Sequence, residues 1–172
     1  MIYPGTISDD RGIYELIKLM EFLPDHFKLI VYGRWLNAEL LSRCKALEGF
    51  KKCELRDYAD AEEIYRCMKM CTFGFQLTKN TKDSNGPYPM KVFEYLATKT
   101  IAVISDQPTK RGTFGDDVIY ADVQNLRAVA DDIINMYKDD VMINRLKLSG
   151  YLAVERKFNW NIEKNLYLQC FK

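Results

Sequence analysis

Pro89-Met-Lys-Val-Phe-Glu94-Tyr-Leu-Ala97, followed at once by Thr100-Ile-Ala-Val-Ile-Ser105, constrains the fold of this chain more than any other stretch. Proline suits the first position of a helix, where its missing N–H has no intrahelical partner to lose. A helix therefore opens at Pro89. The β-branched run after Thr100 has the composition of a buried strand. Upstream, Cys71-Thr-Phe-Gly-Phe-Gln-Leu77 reads as another strand, joined to the helix by a polar loop over residues 79–88 that contains Gly and Pro. Strand, loop, helix, strand is a βαβ unit, and such units build parallel sheets.

The same alternation runs along the rest of the chain. Met1-Ile-Tyr-Pro4 reads as a short strand ending at Gly5. Apolar residues at Ile13, Leu16, Ile17, Met20 and Leu23 have helical spacing. Residues 27–32 read as a strand stopped by Gly33, residues 36–47 as a helix ending near Gly49, and residues 53–56 as a weak strand. Residues 60–70 read as a helix, with Asp60 as cap and Glu63 as its capping-box partner. Residues 117–120 predict a short last strand, and 124–137, 141–158 and 160–170 predict helices. Right-handed crossovers then give a doubly wound parallel sheet, Rossmann-like, in an α/β chain of one domain over residues 1–172. The C-terminal helices occupy about 141–172.

Composition closes off several function classes. Lys+Arg 25 against Asp+Glu 24 leaves a net charge of +1, which argues against broad nucleic-acid binding, since that needs a basic excess. Five scattered cysteines with one histidine argue against a zinc site and for reduced thiols in a cytoplasmic protein. Met1 leads straight into a strand-like segment, so no secretion signal is expected, and no apolar run approaches the ~20 residues of a transmembrane helix. His26 falls in a surface turn and cannot anchor a nucleophilic triad. No G-x-G-x-x-G follows the first strand, which counts against NAD or FAD.

Ligands of doubly wound sheets sit at the carboxyl ends of the strands. Four polar loops fall on that edge: residues 5–11, 34–35, 57–60 and 79–88. The free amides at the Pro89 helix start can take phosphate. Glu94, about a turn later, is an acceptor-only carboxylate able to take two hydroxyl donors of a ribose; the alternative is a solvated helix face. Gly5 permits a tight turn, and Arg11 near a helix start adds to its attraction for anions; the alternative is a surface Arg paired with Asp9 or Asp10. Lys91 is either a phosphate contact or a solvated residue. Tyr58 either lines a base pocket or is a partly buried structural tyrosine, and Trp35 either packs or walls a ligand. Lys79, Lys82, Lys110 and Arg111 are expected in loops, solvated. Trp160 is expected to anchor a C-terminal helix in the core.

Three stretches together resemble one family. Gly5-Thr-Ile-Ser-Asp-Asp-Arg11-Gly12, Leu29-Ile-Val-Tyr-Gly33 and the Pro89–Ala97 segment are similar, in order, to the C-terminal half of retaining GT-B glycosyltransferases (family 4, glycosyl transferases group 1). Phe158-Asn-Trp160 resembles that family's late Phe-Ser-Trp element. The resemblance implies the donor-binding half of a two-domain, hexosyl-type transferase. Its donor would be a nucleotide-diphosphate sugar, its acceptor a glycan or lipid-linked acceptor in surface polysaccharide biosynthesis, and no metal or other cofactor would be needed. It implies a cytoplasmic enzyme, peripheral at the inner face of the membrane when full-length, whose N-terminal acceptor domain is absent here.

The resemblance also assigns residues. Arg11, with Gly5, Thr6 and Gly12 around it, matches the diphosphate contact. Pro89, Met90 and Lys91 match the phosphate cradle, with Arg11 and Lys91 stabilising the leaving group. Glu94 matches the ribose acid, and Arg56 to Tyr58 the base region. Two positions depart from the pattern: Thr6 stands where the family often has Arg, and Gly86 where many members carry a second acid for the sugar hydroxyls. The isolated domain is expected to bind a nucleotide and transfer sugar poorly or not at all. Two other readings stay open, a non-catalytic Rossmann-like module for a nucleotide or partner, and half of a sugar-nucleotide epimerase.

Overall fold

A computed structural model describes residues 1–79 and 89–170. Six strands, β1 (Ile2–Pro4), β2 (Leu29–Tyr32), β3 (Cys53–Arg56), β4 (Phe73–Gln76), β5 (Ile101–Ser105) and β6 (Ile119–Ala121), form one sheet in the order β3-β2-β1-β4-β5-β6. Every pairing is parallel. Strand order reverses between β1 and β4, so their carboxyl ends diverge into a crevice. Among the described residues the α-helices are α1 (Ile13–Phe22), α2 (Ala38–Lys45), α3 (Ala61–Met70), α4 (Met90–Ala97), α5 (Pro108–Phe114), α6 (Leu126–Tyr137), α7 (Asp140–Arg156) and α8 (Trp160–Gln169).

Strand side chains alternate between two cores, as period two requires. Leu29, Val31, Phe73, Phe75, Ile101 and Val103 share one core with α1 and α6. Ile2, Tyr32, Ala102 and Ile104 share the other with Met68 of α3 and with Val92, Tyr95 and Leu96 of α4. Helix α4 is clamped from both sides. Beneath it, a β-carbon at Gly74 would come within 2.5 Å of the Tyr95 ring. The Tyr95 hydroxyl donates to the Phe75 carbonyl at 3.1 Å. Outside it, a β-carbon at Gly150 of α7 would come within 2.6 Å of Leu96.

Several local expectations need correcting. Lys110 and Arg111 are not in a loop: Pro108 opens α5 at its first position and carries both onto a helix, where Lys110 is buried. Lys79 is not merely solvated, since it pairs with Asp9 and Glu15. Trp160 is 65% exposed; Phe158 does the anchoring instead, its ring 5.2 Å from Phe93. Tyr58 is 94% exposed rather than partly buried. The capping box at α3 is half made. Asp60 accepts from the Glu63 amide, but the Glu63 side chain turns away to accept from the Tyr32 hydroxyl at 3.0 Å. Among the described residues no helix is long and apolar enough to cross a membrane.

Candidate functional site

The β1–β4 crevice is built by close backbone approaches. After Pro4, Gly5 adopts φ 124°, a region that favours glycine. A β-carbon at Gly33 would run into the Gly5 carbonyl, and one at Gly12, where φ is 68°, into the Leu77 carbonyl. The Lys79 amide donates to the Asp10 carbonyl at 3.0 Å. The loop after β1 is thus pinned to the ends of β2 and β4. Gly5 and Thr6 are exposed at the mouth. The Thr6 carbonyl accepts from the Tyr3 hydroxyl at 3.1 Å.

Lys91, in the first turn of α4, reaches down into this mouth. Its Nζ lies 4.0 Å from the centre of the Tyr3 ring. A β-carbon at Gly5 would stand 3.3 Å from it. The nitrogen is closed off from solvent and has no hydrogen-bond partner among the described residues. Burial first, then the charge of Arg11, push its pKa down to about 7, while Glu94 pulls the other way. A cation–π contact returns about 2 kcal/mol at a desolvated site, against several kcal/mol lost per buried ion, so desolvation wins over the Tyr3 ring. Burial likewise pushes the Tyr3 hydroxyl up to about 12.

Arg11 ends a 3-10 turn, Asp9–Arg11, and is exposed. It forms no ion pair with Asp9 or Asp10; Asp9 is engaged by Lys79, which also reaches Glu15 at 3.4 Å. Pro89 precedes α4 without a side-chain cap, and Met90 is 70% exposed. The first amides of α4 therefore lack a side-chain cap among the described residues. Glu94 is half-buried one turn on, and its Oε1 accepts from the Tyr65 hydroxyl at 3.4 Å. Glu94 raises the pKa of Tyr65 in turn. Tyr65, on α3, escaped the sequence reading; no local signal ties a tyrosine on one helix to an acid 29 residues later.

Lys91 stands beside Gly5 and Tyr3, and the charges of Arg11 and Glu94 both act on its amine; Thr6 follows Gly5 in the chain, Pro89 and Met90 lead into Lys91, and Gly12 is buried. Arg56 and Tyr58 lie further along the same edge. Arg56 is spoken for: its Nε donates to Glu54 at 2.6 Å and its Nη1 to the Tyr32 hydroxyl, and these bonds raise its pKa. Trp35 is half-buried in a parallel bridge with Ile7. Gly86 and Lys82 lie outside the described residues. A second buried amine, Lys110, donates from Nζ to Thr78 Oγ1 at 3.1 Å, and burial pushes its pKa down to about 8. The Thr78 carbonyl accepts from Ser105 at 2.8 Å. Among the described residues no group of three or more metal-binding side chains occurs. The Arg11 guanidinium, the Lys91 amine, the first amides of α4 and the Glu94 carboxylate together suit a ligand with both a polyanion and vicinal hydroxyls.

Residues 1–152 match the family model for glycosyl transferases group 1. The chain belongs to the glycosyl transferases group 1 family. Among curated proteins no sequence matches it. Its fold is that of GT-B C-terminal domains. HepE of Anabaena, crystallised with UDP and glucose, is 14% identical with a TM-score of 0.78, over 96% of this chain and 47% of that one. The C-terminal domain of the group 1 protein LpcC from Francisella tularensis is 14% identical with a TM-score of 0.77, over 92% of this chain and 85% of that domain. S. aureus TarM, solved with UDP, is 15% identical with a TM-score of 0.79, over 99% of this chain and 35% of that one. This group 1 chain thus spans about half the length of HepE.

Proposed function

We propose that this chain is the donor-binding half of a retaining, hexosyl-type glycosyltransferase of family 4, and that it holds a nucleotide-diphosphate sugar in the β1–β4 crevice. The observation that carries this reading is the convergence of Arg11, Lys91 and Glu94 on the uncapped start of α4. In this reading the diphosphate lies against the amides of Met90 and Lys91, between the two cations. Glu94 accepts from the ribose hydroxyls, and the base extends toward Arg56 and Tyr58. Gly5, Thr6 and Gly12 let the backbone come close. HepE and TarM were each solved with UDP, which makes a uridine nucleotide the first ligand to test.

Negative charge grows on the diphosphate as the sugar–phosphate bond breaks. Arg11 and Lys91 stabilise that charge, and loss of one such donor costs roughly 3 kcal/mol in a transition state. The same two cations supply the positive charge that a metal would otherwise bring, so no metal or other cofactor enters the reading. The acceptor, a glycan or lipid-linked acceptor of surface polysaccharide synthesis, sits on a second, N-terminal domain, in a cytoplasmic enzyme at the inner face of the membrane. Titration calorimetry of the 172-residue chain with UDP, GDP and ADP tests the donor site. Binding of at least one is the expected result; absence of heat with all three at millimolar concentration overturns it.

A further inference from the structure

Lys91 places an amine where a charge is poorly supported. Its Nζ is shut off from water and lacks a hydrogen-bond acceptor among the described residues. Among the described residues the groups facing it are few. From β1 comes the Tyr3 ring, whose hydroxyl is committed to the Thr6 carbonyl. From the turn after β1 comes Arg11, a like charge, with Asp10 acting on Tyr3. On its own helix stands Glu94, engaged by Tyr65 from α3 and forming no ion pair with Lys91. A diphosphate in the crevice would change this balance, because it brings anionic oxygens to a nitrogen that has no partner.

We propose that the Lys91 amine stands neutral in the empty crevice and takes up a proton as a diphosphate enters, so that donor binding is proton-coupled. This rests on the donor-site reading above. The transfer balances simply: buffer gives up one proton, the amine gains it, and the resulting ammonium turns out from the Tyr3 ring to donate to phosphate oxygens. The ligand supplies no proton, since a terminal phosphate loses its last one near pH 6. The depressed pKa of about 7 agrees with the geometry. Above that pH the affinity for a diphosphate falls by up to about tenfold per pH unit, the opposite direction from the ligand's own ionisation.

Calorimetry with UDP at pH 8, run in Hepes and in Tris, reads the number of protons absorbed from the dependence of the heat on buffer ionisation enthalpy. The expected result is about one proton per UDP bound, abolished by Lys91→Arg, whose guanidinium stays charged. Carbon NMR of labelled lysine in the unmodified protein gives a second readout. The Lys91 midpoint should lie near 7 without UDP and move up by at least about two pH units with it. Proton uptake that persists in Lys91→Arg overturns the proposal. So does UDP binding with no proton absorbed and a Lys91 midpoint at the ordinary lysine value, while the donor site stands. Failure of UDP, GDP and ADP alike to bind removes the donor site and this coupling with it.

Discussion

Gly74 lies directly under the ring of Tyr95, so closely that a β-carbon at position 74 would meet ring carbons at 2.5 Å. The Tyr95 ring of α4 rests there on the bare backbone of β4, and the Tyr95 hydroxyl locks the contact by donating to the Phe75 carbonyl. The roll of α4, and with it the placement of Lys91 and Glu94, depends on this contact. Gly74→Ala should cost about 1–3 kcal/mol of stability, as overpacking of a tight core does, and should weaken nucleotide binding as well. Thermal unfolding and calorimetry of the same variant measure the two effects.

Gly5 tests the mouth rather than the core. Its φ of 124° and the nearby Lys91 amine both oppose a side chain. Gly5→Ala should carry a strain of about 1–3 kcal/mol and should displace Lys91. The expected result is a folded protein whose affinity for UDP drops about tenfold or more, read by calorimetry beside a circular dichroism spectrum.

Glu94 and Tyr65 separate ribose recognition from phosphate recognition. A hydrogen bond to a charged group is worth about 1.5–3 kcal/mol, so Glu94→Ala should weaken UDP binding by at least about tenfold. Tyr65→Phe should cost less, since its contact with Glu94 is long, at 3.4 Å. Inorganic pyrophosphate has no ribose and should bind equally well to both variants and to the parent. An equal loss for pyrophosphate would remove Glu94 from the ribose role. Lys45→Ala, on the exposed face of α2, serves as the control.

Stability should depend on pH through buried groups whose shifts have opposite signs. Lys91 and Lys110 are pushed from 10.5 down to about 7 and about 8, so between those values and 10.5 the unfolded chain holds more protons, and stability rises with pH. The Cys44 and Cys53 thiols are pushed from 9.0 up to about 11 and about 12, and Tyr3 from 10.0 to about 12. Those groups lose stability as pH climbs past 9.0 and 10.0. Unfolding midpoints should therefore rise from pH 6.5 to a maximum near pH 9 and fall beyond it. Lys110→Met should flatten the rising limb; an unchanged limb would mean that Lys110 is not desolvated.

The sheet and its order of elements were legible because they depend on local patterning, such as the β-branched run of β5 and Pro89, which stands as the extended residue just before α4 rather than at its first helical position. What escaped the reading depends on distance in sequence. Helix α5 hid behind Pro108 and Gly112, which together look like turn residues, and its packing buries Lys110. The depth of Lys91 is set by Tyr3 and Gly5, more than eighty residues away. Glu63 had the right spacing for a capping box, but the Tyr32 hydroxyl of another strand competes for its carboxylate. Trp160 looked like an anchor by size alone, and the neighbouring Phe158 took that place among Phe93 and Phe114. Arg11, Lys91 and Glu94 were each ambiguous singly; the crossover between β1 and β4 makes them neighbours.

The missing side chain at Gly150 gives α7 an outsized influence. Because α7 rests on Leu96 there with no spare room, a bulkier residue would act as a wedge and lever the whole of α4 against the sheet. The chemistry of the crevice can thus be retuned from the opposite side of the helix, by a residue that never meets a nucleotide.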